Sequence, residues 1–341
     1  MESIYYVLSW LCHRKCEHCY EERFHPYHGD ELRQVQEQSV LAMPEIVANF
    51  PDRLTYLDSH DGFREKIGRV ILSGGEVLLD PIREPVLYPA IARLKAKYAG
   101  QGGVRIIIQT TGDVLNERIL AELLDQGVWL ISISGMDAYH EGFEEEAARQ
   151  RLISKLTNWF NHAGMRECAS ASSAWHDPDA AGPYYHFFGA TPESWIGKLW
   201  PRGRAWNHEL SQAGITDNFC NQWSGGVGFL STRHRGSEVS VDPEGNVYPC
   251  CIKTRRPIGN LRERSLDQIL ASLQGHPVYE AISMGHPERM GVTYGWSVEK
   301  FFEKSRVVLP SGRDYQNMCI GCDRFHDEVL APHPNLVQVS L

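Results

Sequence analysis

From the N-terminus to about residue 210 the chain alternates short apolar runs with amphipathic stretches, and this rhythm restricts its fold more than any other feature. Repeated βα units cover both faces of a parallel sheet with helices, so the alternation predicts an α/β architecture. Strands are predicted at 5–10, 69–73, 104–109 and 129–134. Helices are predicted near 39–50, 89–98 and 116–126, with a longer one over 143–162. The long helix sets Leu152, Ile153, Leu156, Trp159 and Phe160 on one stripe and stops at Gly164, the pattern of a core element. Residues 168–188 read as a loop near the mouth of the sheet, although 184–188 can form a strand.

Beyond residue 211 the character changes. Segments 238–241 and 246–249 flank Asp242-Pro243-Glu244-Gly245, a hairpin signal with turn residues at its centre. Ser265 and Gln268 form a capping-box pair that opens a helix through Ile269, Leu270 and Leu273. A chain of 341 residues with this shift divides into a large α/β domain over 1–210 and a smaller α+β domain over 211–341. The net charge of −9 argues against a phosphate-binding surface, and so against a nucleic-acid partner. No apolar run approaches about 18 residues and no charged-then-apolar leader precedes the first strand. A cytoplasmic protein with no membrane partner is the expectation.

The chemistry is carried first by cysteine. Cys12, Cys16 and Cys19 form a CxxxCxxC directly after the first predicted strand. Three thiolates at this spacing suit three corners of a [4Fe-4S] cluster, leaving one iron open to a small molecule. Nine cysteines, an odd number, are poor evidence for a disulfide framework and better evidence for metal ligands. Gly74, Gly75 and Glu76 end the second predicted strand, where α/β sheets place their ligands. Gln109 to Gly112 end the third, and Ser132, Ser134 and Gly135 end the fourth. Asp137, Tyr139 and His140 follow, placed either to exchange a proton or to open a helix. In the C-terminal part Cys220, the adjacent pair Cys250 and Cys251, and Cys319 with Cys322 make five thiols; Cys168 stands apart as a free thiol. Four of the five suit an auxiliary [4Fe-4S] cluster or tetrahedral zinc, and either member of the adjacent pair can serve.

These motifs together resemble the radical S-adenosylmethionine (SAM) enzymes with a SPASM or twitch-like C-terminal domain. The resemblance implies a partial (β/α)6 TIM-like barrel, a catalytic cluster on Cys12, Cys16 and Cys19, and SAM chelated to its open iron. It implies SAM contacts from Gly74, Gly75, Glu76, Ser132 and Ser134, with Tyr20 near the adenine. Thr111 stands where the family has asparagine, and His18 where it has an aromatic ring, a mild departure that leaves His18 no ligand. The run from Trp195 to Ala205 resembles one near the last barrel strands, with Arg202 or Arg204 placed to hold the SAM carboxylate or a substrate acid. The full SPASM pattern needs more cysteines than remain, so a single auxiliary cluster is expected, on Cys220, Cys319, Cys322 and one of Cys250 and Cys251. The implied activity is reductive cleavage of SAM to a 5'-deoxyadenosyl radical that modifies a small-molecule or peptide substrate, with flavodoxin or ferredoxin as reductant. Two other readings stand beside it. One is transfer of the aminocarboxypropyl group of SAM to a nucleophile or to a thiophilic element such as trivalent arsenic, held by the adjacent thiols. The other is a non-catalytic zinc or iron-sulfur scaffold.

Overall fold

The computed structural model describes residues 1–168, 182–190 and 198–331. Its strands are β1 (Ser3–Val7), β2 (Thr55–Asp58), β3 (Arg64–Ile67), β4 (Arg69–Ser73), β5 (Arg105–Thr110), β6 (Leu130–Ile133), β7 (Arg166–Glu167), β8 (Tyr184–Phe187), β9 (Glu238–Val241), β10 (Asn246–Tyr248), β11 (Gly259–Asn260), β12 (Arg306–Val308) and β13 (Asp314–Gln316). Nine of them form one sheet in the order β11-β10-β9-β1-β4-β5-β6-β8-β7. From β9 to β7 every neighbouring pair is parallel, as the βα alternation requires. The two ends of the sheet, β11 and β7, do not pair with each other, so the wall stays open as a partial barrel.

Strand residues alternate between two cores. Ile4, Tyr6, Val70, Leu72, Ile106 and Ile108 pack among the helices, whereas Tyr5, Val7, Ile71 and Ile107 pack inside the curve of the sheet. Helices Tyr88–Tyr98, Glu117–Asp125 and Glu146–His162 cover the outside. Leu152, Leu156 and Phe160 are the buried stripe of the last of these. Asn116 caps the middle one by accepting a hydrogen bond from the Ile119 amide at 3.0 Å. Helix Gly29–Ala48 begins well before the expected position, because its first turns are mostly polar and only Leu32 and Val35 there pack against the core. Asp30 and Glu31 in its first turn complement the helix dipole.

The C-terminal hairpin and capping box are as expected: Ser265 Oγ accepts from the Gln268 amide at 3.3 Å, and Gln268 Oε1 accepts from the Ser265 amide at 3.1 Å. The hairpin's place was not foreseen. β9 runs parallel to β1, from Ser3 opposite Glu238 to Tyr6 opposite Val241, so the region beyond 211 extends the barrel sheet itself. A small hairpin of β2 and β3 also escaped the sequence pattern; it buries the Lys66 ammonium against Asp58 at 2.9 Å and Asp61 at 3.1 Å. No helix among the described residues is long and apolar enough to cross a membrane.

Candidate functional site

The inner face of the sheet encloses a cavity of about 500 Å³. Cys12, Cys16 and Cys19 line one side of it, and Gly74, Gly75, Ser132 and Ser134 line the strand ends. The cysteine loop is held from several directions. The Arg14 amide donates to Cys12 Sγ at 3.5 Å and the Glu141 amide to Cys16 Sγ at 3.4 Å. Arg204 braces the loop from behind, its guanidinium donating to the carbonyls of Cys16 at 2.7 Å, Glu22 at 2.8 Å and Phe24 at 2.8 Å. Gly75 is required for the fit: a Cβ there would lie 2.2 Å from the Leu11 carbonyl oxygen and 2.6 Å from Cys12 Cβ. Burial pushes the Cys12 thiol up to about 12 and the Cys19 thiol to about 11, and raises Cys16 as well. Such thiols keep their protons in the bare protein and surrender them to a metal. Two buried cysteines and a half-buried third, with backbone N–H groups aimed at two of the sulfurs, fit a cluster held by thiolates.

Glu76 behaves differently from expectation. Its carboxylate is 1% exposed and accepts from the Leu78 amide at 2.9 Å, Thr110 Oγ1 at 2.8 Å, the Thr111 amide at 2.8 Å and Thr111 Oγ1 at 2.7 Å. With its lone pairs taken by its own chain and its side chain outside the cavity lining, it braces the ends of β4 and β5 rather than meeting a ligand ammonium. The Thr111 hydroxyl stands within hydrogen-bond reach of both Glu76 and Asp113, with one proton to give to either. Asp113 in turn accepts from His13 Nε2 at 2.8 Å and Arg14 Nη2 at 2.6 Å, anchoring the cysteine loop to β5.

Ser132 and Ser134 do face the cavity. Ser132 Oγ lies 3.1 Å from His186 Nε2, and Ser134 Oγ donates to the Thr110 carbonyl at 3.3 Å. Tyr20 is there also, its hydroxyl 3.3 Å from that of Tyr5. Gln109 lines the cavity as its place at a strand end suggests, and His186 and Tyr5, which period-two alternation along β8 and β1 marks, line it too.

Beyond β6, Asp137 is 5% exposed and accepts from His140 Nδ1 at 2.9 Å, the Tyr139 amide at 2.9 Å and the Ala190 amide at 2.7 Å. Burial works to raise this carboxyl, but the His140 hydrogen bond and charge outweigh it and hold the group down at about 2. The His140 ring stands 4.3 Å from that of His18, centroid to centroid, and ligand atoms of His18, Asp137 and His140 all lie within 4.8 Å of one another. His18 and His140 both line the cavity. An aspartate that fixes an imidazole pointing into a cavity is a proton-exchanging pair in form.

A second, much smaller cavity of about 20 Å³ lies among Cys220, Cys250, Cys319 and Cys322. The adjacent thiols part here. Cys250 lines this small cavity, whereas Cys251 lines the large one, so Cys251 leaves the expected auxiliary set and the pair is not presented as a two-sulfur chelate. Arg202 also belongs to the small cavity. Its guanidinium grips Asp323 at 2.9 and 3.0 Å and donates to the Ile252 carbonyl at 3.2 Å, which removes it from any SAM carboxylate. Burial raises the Cys220, Cys250 and Cys322 thiols and pushes Cys319 up to about 11, while the Arg202 charge works against the rise at all four. Four thiols and a buried cation around so small a space fit four thiolate ligands of a metal centre. Trp195, from the aromatic run, lies outside the described residues.

Residues 234–289 match the model of the SPASM family, an iron-sulfur cluster-binding domain. No curated protein matches the chain. Among solved structures, BtrN in complex with AdoMet and 2-DOIA is 15% identical, with 84% of this chain and 88% of that chain covered and a TM-score of 0.42. Native anSMEcpe with bound AdoMet and Kp18Cys peptide is 12% identical, with 98% of each chain covered and a TM-score of 0.45. SuiB of Streptococcus suis, bound to precursor peptide SuiA, is 13% identical, with 82% of this chain and 66% of that chain covered and a TM-score of 0.42. These three are loose likenesses. The chain thus joins a CxxxCxxC at residues 12–19, shortly after β1, to a SPASM match over 234–289.

Proposed function

We propose that the protein is a radical SAM enzyme that modifies a small molecule or a short peptide segment inside the barrel cavity. The observation that carries this reading is that the three thiols, the Gly74-Gly75 backbone and the Asp137–His140 pair all border one cavity of about 500 Å³, far larger than a cysteine-ligated cluster needs. Cys12, Cys16 and Cys19 would hold the catalytic cluster. When bound, the reduced cluster and SAM supply a 5'-deoxyadenosyl radical for hydrogen abstraction. The chain's own part is to bind, orient and shield. Gly74 and Gly75 let the backbone approach SAM, while Ser132 and Ser134 offer hydroxyls at the strand ends and Tyr20 a ring beside the cysteine loop. His140, steadied by Asp137, is the cavity's acceptor for a proton released from substrate. Cys220, Cys250, Cys319 and Cys322 would hold one auxiliary cluster, with Arg202 offsetting its negative charge.

The test is anaerobic incubation of reconstituted, dithionite-reduced protein with SAM, followed by mass spectrometry of the nucleoside product, beside a Cys16→Ala control. 5'-Deoxyadenosine that disappears in the control is the expected result. 5'-Methylthioadenosine in its place would overturn hydrogen abstraction in favour of aminocarboxypropyl transfer, and neither product from a fully loaded protein would count against both.

A further inference from the structure

His326 is the one imidazole among the described residues with both ring nitrogens buried and neither given a hydrogen-bond partner; the residue is 1% exposed. A buried polar group left so is costly, and native proteins satisfy such groups with a water, an ion or a ligand. Its position says which. Helix Met318–Phe325 carries Cys319 and Cys322, and His326 continues it with helical backbone, φ −60° and ψ −41°. Cys319, Cys322 and His326 therefore stand at i, i+3 and i+7, on one face of the helix. Helical side chains lean toward the N-terminus, which sets His326 one turn beyond Cys322 on the cysteine-bearing side of the helix, just outside the residues that line the small cavity. On the same turn Asp323 reaches out to Arg202, which lines the small cavity with the four cysteines. Burial, then the nearby Arg202 cation, pulls the imidazole down to about 4, so it stands there neutral with one N–H to give.

We propose that His326 donates this N–H to a sulfur of the auxiliary cluster, positioning the cluster and raising its reduction potential. The inference rests on the reading that Cys220, Cys250, Cys319 and Cys322 hold that cluster. Those four thiols complete the ligand set of a four-iron cluster, which leaves the imidazole the role of a hydrogen-bonding neighbour and not of a ligand. A donor to sulfur favours the reduced, more negative state, and loss of the donor disfavours it.

The experiment uses the full chain carrying Cys16→Ala, which silences the catalytic site, and compares His326 with His326→Leu and His326→Gln. Iron and sulfide are counted, and the remaining cluster is titrated potentiometrically by EPR. At a fixed potential the leucine variant is expected to show about a tenfold lower reduced-to-oxidised ratio at unchanged iron, a shift of about 59 mV for a one-electron couple, with glutamine recovering most of it. If leucine does not fold, His326→Met serves as the donor-less variant. An unchanged midpoint, an equal shift in the glutamine and donor-less variants, or loss of iron in both would overturn the proposal, the last by making His326 a ligand. Absence of any iron in the Cys16→Ala protein with His326 intact would remove the auxiliary cluster and this inference with it, a result distinct from the others because no signal remains to titrate.

Discussion

The two cysteine sites of this molecule differ most in the space around them. Three thiols open onto about 500 Å³ lined by glycine backbone, hydroxyls and an Asp–His pair, whereas four thiols enclose about 20 Å³ with a buried guanidinium beside them. Three thiols beside ample room suit the proposed place where a molecule would be bound and altered. Four thiols with almost no room suit a site that would only keep charge. The adjacent residues Cys250 and Cys251 fall on opposite sides of this divide, so a single peptide bond separates the closed site from the open one.

The comparison breaks outright if the open site is not the reactive one. Cys16→Ala is expected to abolish 5'-deoxyadenosine formation and remove about half of the bound iron, about four of eight atoms, by iron assay and product analysis. Product formation in that variant would move the chemistry elsewhere. The adjacent thiols sharpen the contrast next: Cys250→Ala should lose the auxiliary iron while Cys251→Ala retains all of it. Equal losses would mean that the two side chains share one site.

A third expectation concerns the backbone under the open site. Gly75→Ala drives a methyl into the Leu11 carbonyl and Cys12, and should cost about 3 kcal/mol or more in urea unfolding while lowering iron at the catalytic site alone. A stable, fully loaded alanine variant would show that the loop yields. The smallest effect expected is at Glu238, which lies 4% exposed under a hydrogen bond from Ser224, a residue of the open cavity's lining. Burial raises this carboxyl from 4.5 to about 7. The folded state thus holds the proton more tightly than the unfolded one. Its contribution is therefore neutral below about pH 4.5, turns unfavourable as pH rises from there to about 7, and is constant above. Glu238→Gln should remove that loss, gaining on the order of 2 kcal/mol at pH 8 and nothing at pH 4, where parallel stability curves would refute the assignment.

Much of this organisation is legible in the sequence, and the part that is not has a common cause. Strand and helix positions follow from local periodicity, and the CxxxCxxC, Gly74-Gly75, Ser132 and Ser134 follow from their places at strand ends. What local pattern cannot carry is the partner a side chain finds far away. Arg202 is taken by Asp323, 121 residues on, and Glu76 is saturated by residues about 35 positions along the chain. The split of Cys250 from Cys251 depends on which way two neighbouring side chains leave a hairpin, and composition is silent on that. The start of helix Gly29–Ala48 was obscured for a simpler reason: its polar first turns resemble a loop.

The seat of β9 beside β1 governs how this molecule must come into being. Glu2 and Ser237, bonded at 3.0 Å next to that junction, are separated by 235 residues. The strand that leads into Cys12, Cys16 and Cys19 is made some 235 residues before its second neighbour, as the pairing of Ser3 with Glu238 shows. Until then it presents a bare row of amides and carbonyls, an invitation to misassembly. Contacts so distant in sequence form slowly, so completion of the wall around Cys12, Cys16 and Cys19 waits upon the hairpin that supplies β9.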